Sequence, residues 1–163
     1  MNIVYRVIHR DEHEFLKEML YEALFVAPGQ AKFPKAIIDE PDIKKYIDHW
    51  SQQEGDLAIV AVRHDELVGA IWGRKFEEIK KGYGFVNEET PEISMAIRSA
   101  YRNQGIGTAL INYIEKEYID MGVSQLSLSV DKLNPAIKLY ERCGCETFEE
   151  QDTAVTMVKQ IVR

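Results

Sequence analysis

The sequence predicts an α/β protein with helices packed on a mixed sheet. Three observations carry that expectation. Strand-like and helix-like stretches alternate in the order β-α-α-β-β-β-α-β-α-β-β, with no repeat, linker or low-complexity segment. Within residues 92–110 the apolar period switches from two to about 3.6, as where a strand feeds a helix. The run Leu57–Arg63 is dense in Ala, Ile and Val, as in a strand buried on both faces.

Taken in order, residues 2–8 read as a strand, with Ile3, Tyr5 and Val7 on one face. Asp11 is placed to cap the following helix, with Glu14 three residues on as its capping-box partner. Phe15, Met19, Ala23 and Leu24, with Leu16 and Leu20 alongside, give that helix a broad apolar stripe. Ala27-Pro28-Gly29-Gln30 breaks it, and residues 31–40 read as irregular. Pro41 suits the first position of a second helix running to about Gln53, with Ile43, Tyr46, Ile47 and Trp50 inward. His64-Asp65-Glu66 turns the Leu57–Arg63 strand back into a strand from Leu67 to Arg74. Residues 75–90 carry Gly82-Tyr83-Gly84-Phe85, a bent stretch with aromatics.

The strand Glu92–Arg98 comes next, with Ile93, Met95 and Ile97 on one face. Its helix opens at Gly105; Ile106, Leu110, Tyr113, Ile114 and Met121 form the apolar stripe, and Gly122 ends it. Leu126, Leu128 and Val130 alternate with Ser127 and Ser129 in a strand with one thinly covered face. Asn134-Pro135 caps a helix that closes at Gly144. Thr153–Val162 is the final strand.

At 163 residues, 45% hydrophobic and 29% charged, the chain fits one soluble domain spanning residues 1–163. The net charge of −7 argues against a nucleic-acid partner and suits a cationic substrate. No run is long enough for a membrane span or a signal peptide. Cys143 and Cys145, one glycine apart, suit neither zinc nor a bridge. Two reduced thiols point to the cytoplasm. Neither metal nor membrane is expected.

The stretch most informative about function is Arg102-Asn103-Gln104-Gly105-Ile106-Gly107-Thr108. A helix start leaves about four backbone N–H groups unpaired, and the macrodipole makes that end positive. The glycines clear side chains from the backbone and Arg102 adds charge, a combination that suits a phosphate or pyrophosphate. Alternatively, the glycines relieve crowding where loop meets helix. A dinucleotide fingerprint, with Asp131 as the ribose acid, fails because Leu110 holds the third glycine position.

Arg102-x-x-Gly105-x-Gly107 after an apolar strand resembles the acetyl-CoA-binding signature of the GNAT superfamily of N-acetyltransferases. So does Ser127-Leu128-Ser129-Val130 followed by Asn134-Pro135-Ala136-Ile137-Lys138-Leu139-Tyr140-Glu141-Arg142-Cys143-Gly144. The specific likeness covers residues 91–148, and Cys145 departs from the aromatic usual there. The resemblance implies a GNAT-like fold: a mixed, mostly antiparallel, splayed sheet of about seven strands flanked by about four helices. It also implies an N-acetyltransferase that moves acetyl from acetyl-CoA to a primary amine of a small molecule or peptide. A homodimer is compatible with it. A non-catalytic acyl-CoA sensor is the alternative from another class.

The resemblance further implies that Met95, Ala96 and Ile97 pair with the pantetheine arm. Residues Arg102, Asn103, Gln104, Gly105, Ile106, Gly107 and Thr108 would cradle the pyrophosphate, with Asn134 and Tyr140 also on the cofactor. Tyr140 is the candidate acid: a phenol with a pKa of about 10 stays protonated and can donate to a departing thiolate. As a member of an i, i+4 apolar face with Ala136, it also fits a core tyrosine. Glu92 is the candidate base, with Glu88 and Glu89 as alternatives; an ordinary glutamate near 4.3 needs burial to act on an ammonium. Phe33, Trp72 and Tyr83 are the candidate acceptor-site residues, among aromatics that also fit a core.

Overall fold

The structure, a computed structural model, describes residues 2–162, so the expected bounds at 1 and 163 lie just outside the described residues. Two strands, β2 (Leu57–Arg63) and β3 (Glu66–Arg74), form its centre. Their turn is the residue pair His64 and Asp65, both left-handed at φ 50° and 64°. Two successive positive φ values match the twist of an antiparallel hairpin, so the strands close tightly, with Arg63 opposite Glu66. β1 (Val4–Val7) and β4 (Glu92–Ile97) pair on either side of this hairpin, both antiparallel.

The second part of the sheet is β5 (Gln125–Asp131), β7 (Ala154–Gln160) and β6 (Glu146–Glu150), again antiparallel. The full order of the seven strands is β1-β2-β3-β4-β5-β7-β6. β4 and β5 run parallel and are in register only at Glu92 and Ser127. The Ser127 N–H donates to Pro91 O at 3.0 Å, and beyond it the strands part. The mostly antiparallel, splayed sheet is the architecture expected from the sequence.

Strand alternation divides the core into two layers. On one face, Ile59, Ala61, Ile71 and Ile93 meet α3 (Ile106–Asp120) and α4 (Ala136–Arg142). On the other, Ala58, Val60, Ala70, Trp72 and Ala96 meet α1 (Phe15–Ala23) and the segment after α2 (Pro41–Lys44). Both faces of β2 are therefore buried, as its composition predicts.

Several local expectations are corrected. The approach to α1 is not capped by Asp11 and Glu14. A 3-10 turn over Arg10–Glu12 precedes α1, and Glu12 takes the His9 N–H at 2.8 Å. Two Arg6 guanidinium bonds from β1 hold the same carboxylate, so the cap is anchored by a strand. The second helix stops at Lys44 rather than near Gln53, and the chain continues in turns through left-handed His49 and Ser51 at φ 52° and 77°. Lys35–Asp39, expected to be irregular, makes a 3-10 turn. On α3 the inward residues include Ile111 and Tyr118, whereas Met121 is 52% exposed, because the chain turns away at Gly122 (φ 83°). Val7 shares a face with Tyr5 as expected but is exposed on the edge strand β1.

Candidate active site

Where β4 and β5 separate, the sheet opens into a cavity of about 920 Å³. Ser94–Ile97 line one bank, and Ser129 with Val130 the other. α4 contributes Ala136, Leu139 and Tyr140, while Phe25, Phe33, Tyr46 and Tyr83 line the part toward α1 and α2. The cleft thus passes through the sheet and joins its two faces.

Glu92 sits where the strands begin to part, with 4% of its surface exposed. Its Oε2 accepts the Tyr46 hydroxyl at 2.5 Å, and the same hydroxyl oxygen accepts the Tyr83 N–H at 2.8 Å. Oε1 is buried and takes no hydrogen-bond partner among the described residues. Burial pushes the Glu92 carboxyl up to about 7; the Tyr46 bond, the nearby Gly84 N–H and the Lys45 charge pull it down less strongly. Although the Gly84 N–H favours the anion, it does not complete a hydrogen bond to Oε1.

The bent stretch Gly82-Tyr83-Gly84 is what covers this carboxylate. A Cβ on Gly82 would overlap Glu92 Oε1 and lie 2.7 Å from Tyr46 Oη. One on Gly84 would lie 2.5 Å from the Leu128 carbonyl carbon, in the backbone of β5. Only glycine permits that double approach, so the strap wedges between Glu92 and β5. Glu88 is turned elsewhere, its Oε2 accepting the Glu78 N–H at 2.9 Å, and neither Glu88 nor Glu89 lines the cavity.

Behind Tyr46 lies a buried ion pair. Arg74 donates to both oxygens of Asp56 at 2.9 Å, with both side chains 1% exposed. Its remaining terminal nitrogen donates to Lys45 O at 2.8 Å, and Trp50 lies 5.0 Å from the guanidinium. The segment that carries Tyr46 is thereby fixed to β3.

Tyr140 is 9% exposed and lines the cavity from α4. Burial pushes its phenol well up, with Cys145 and Cys143 beside it adding to the shift, so it remains protonated at neutral pH. Its hydroxyl takes no protein partner among the described residues. Both cysteines are free thiols. Asn134 caps α4 as expected, its Oδ1 accepting the Ala136 N–H at 2.9 Å.

At the other end of the cleft, Gly105 adopts φ 86° with open space where a Cβ would point. No side chain caps α3. The first bond into the helix runs from Ala109 N–H to Gly105 O, so the N–H groups of Ile106, Gly107 and Thr108 find no acceptor among the described residues. Arg102 and Asn103 line the cavity there, while Gln104 folds back to Ala100 O at 3.2 Å. Arg102 Nε donates to Ile97 O at 3.0 Å, and its Nη2 reaches Glu22 at 3.4 Å. The Ile106 side chain is in the core, and a Cβ on Gly107 would press on Leu139 at 2.8 Å. These two residues can offer a ligand only backbone.

Of the three acceptor-site candidates, Phe33 and Tyr83 line the cavity. Trp72 does not: it is 1% exposed, packed beneath α1. An aromatic on a strand buried on both faces is filled in by core on either side, which the alternation of β3 could not separate from a pocket wall. Sequence patterning places Tyr46 inward but does not single out its role, since its partner lies 46 residues away. The Gly82-x-Gly84 spacing is the one signal that could have flagged the strap.

A buried carboxylate and a buried phenol thus line one cleft through a splayed sheet. The description "Acetyltransferase (GNAT) family" matches residues 17–145, and the chain belongs to that family. It is an acyltransferase. An acetyltransferase of Sodalis glossinidius (strain morsitans) is 29% identical over 124 residues, covering 76% of this chain and 75% of the relative. One from Pectobacterium atrosepticum is 27% identical over the same share of each chain. Among solved structures, the PaiA N-acetyltransferase of Thermoplasma acidophilum in complex with coenzyme A superposes with a TM-score of 0.72 at 16% identity, covering 98% and 99% of the two chains. The ribosomal-protein-S18-alanine N-acetyltransferase of Escherichia coli gives 0.66 at 17%, covering 99% and 96%. These structures share the fold. Among the described residues no helix is long and apolar enough to cross a membrane.

Proposed function

We propose that this acyltransferase acts as a single-domain cytoplasmic enzyme, moving an acetyl group from acetyl-CoA to a primary amine of a small molecule or peptide. The observation that carries the reading is Glu92, a buried carboxyl raised to about 7, opening with the protonated Tyr140 on one cleft.

The residues present fit the cofactor. The unpaired N–H groups of Ile106, Gly107 and Thr108, the open space beside Gly105 and the Arg102 side chain suit a pyrophosphate. The parted edge from Met95 to Ile97 offers backbone groups to an extended arm, and Asn134 and Tyr140 flank it. Acetyl-CoA supplies the acetyl thioester. Glu92 removes a proton from the acceptor ammonium, and Tyr140 donates one to the departing sulfur. Raising Glu92 from 4.5 to about 7 narrows the gap to an ammonium near 10.4 by about 3 kcal/mol, which an exposed glutamate would leave uncovered. Phe33 and Tyr83 lie on the acceptor side.

The test is a panel of polyamines, amino acids, aminoglycosides and peptide N-termini with acetyl-CoA and thiol detection. Thiol release above background is expected with at least one amine. The rate should rise with pH through about 7, and Glu92→Gln should flatten that limb. In the same assay Tyr140→Phe should lower turnover by about 10²- to 10⁴-fold with little change in the KM for acetyl-CoA. CoA binding without turnover on any amine would favour an acyl-CoA sensor instead.

A further inference from the structure

We infer that Tyr46 is the group through which the acceptor's proton reaches Glu92. This rests on Glu92 being the base, as proposed above. Glu92 borders the cavity with only 4% of its surface exposed, and Tyr46 stands between much of the cleft and its carboxylate. Oε1 is buried under Gly82, so closely that a Cβ there would overlap it. Oε2 is occupied by the Tyr46 hydroxyl at 2.5 Å. Tyr46 itself lines the cavity together with Ile43, Phe33 and Tyr83.

The direction of the hydroxyl proton follows from its neighbours. The Tyr83 N–H can only donate, so the Tyr46 oxygen accepts from it at 2.8 Å and sends its own proton to Glu92. A hydroxyl oxygen has two acceptor sites, and one remains for an ammonium. The transfer then balances. An N–H bond of the ammonium breaks and its proton passes to Tyr46 Oη, as the Tyr46 O–H bond breaks and that proton passes to Glu92 Oε2. The amine keeps its electron pair, Glu92 ends neutral, and Tyr46 is a phenol before and after.

The two protons move together, because a free tyrosinate is disfavoured: burial and the neighbouring carboxylate push the Tyr46 phenol well up. The surroundings hold the relay still. Phe76 packs edge-on at 5.1 Å, and the Arg74–Asp56 pair grips Lys45 O, next to Tyr46 in the chain. The charged and titratable groups facing the relay are Lys45 and Tyr83, with Arg74 opposite Glu92 on β3 and compensated by Asp56.

The experiment compares Tyr46→Phe, Glu92→Gln and the double variant, with folding checked by thermal melting and CoA affinity by calorimetry. At a pH above the Glu92 limb, Tyr46→Phe is expected to lower kcat about 10²-fold or more with CoA affinity unchanged. The double variant should be no slower than Glu92→Gln, because a relay without its base carries nothing. Loss in Glu92→Gln with a Tyr46→Phe plateau within about threefold of the unaltered protein overturns the relay and leaves Glu92 as a direct base. An unaltered pH profile in Glu92→Gln overturns the base assignment, and the relay with it. Should Tyr46→Phe fail to fold, fluorotyrosine at position 46 keeps the size and the bond. A plateau that moves with the acidity of the phenol then supports the relay, and an unmoved one overturns it.

Discussion

At Glu92, the proposed role as base and the stability of the fold pull in opposite directions. Its carboxyl titrates near 4.5 in an unfolded chain and near 7 in the folded one. Between those values the folded state holds a proton that the unfolded state has released. Stability therefore falls as pH rises from about 4.5 to 7, and levels off above, with a total loss on the order of 3 kcal/mol. Below the unfolded value the group contributes no pH dependence. Glu92→Gln removes the titration, so its melting temperature should match the unaltered protein near pH 5 and exceed it near pH 8. Parallel curves would mean the carboxyl is not raised by burial. On the proposed reading the ionisation that weakens the fold also supplies the base, so activity and stability should trend oppositely across neutral pH. That Glu92 and Tyr140 would line one cleft was legible in the sequence through the family resemblance. Tyr46 was legible only as an inward residue, since a hydroxyl's role depends on what the fold brings to it.

The connection between α2 and β2 shows how an element is held without regular structure. Periodicity alone predicts helix to about Gln53, yet the chain turns through left-handed His49 and Ser51. Local propensity gives no hint of how this loop is held, because one of its partners is Arg74 on β3. Asp56 accepts the backbone N–H groups of Ser51 and Gln53 as well as Arg74, so one buried carboxylate ties the loop to β3. Removing one partner of such a pair strands the other without water. Arg74→Ala should cost about 3–5 kcal/mol, and at roughly 2–4 °C per kcal/mol lower the melting temperature by about 6–20 °C. A shift under about 2 °C would show that water reaches Asp56. β2, β3, β4, β5, β7 and α3 were predicted close to their observed bounds, since period and burial agree there. Trp72 was misplaced because β3 is buried on both faces, which removes the contrast that alternation relies on.

At the scale of the whole molecule, the splayed sheet was implied by family resemblance, whereas the depth and position of the opening come from one strand pairing and one glycine strap. The single Glu92–Ser127 pairing also has a mechanical meaning. β1–β4 and β5–β7 are each laced by antiparallel ladders, so the parted strands form a seam in the backbone between two stiff half-sheets. An extended ligand lodged in that seam becomes its missing rung. Amide hydrogen exchange in residues 94–97 and 128–130 should slow on adding CoA, by up to about 100-fold (about 2.7 kcal/mol) at 100 times Kd, while amides of the β2–β3 hairpin change far less. Uniform slowing across both groups would assign the effect to global stabilisation. If the seam yields locally, cofactor capture and release would be the opening and closing of a hinge whose axis lies at the Glu92–Ser127 pairing.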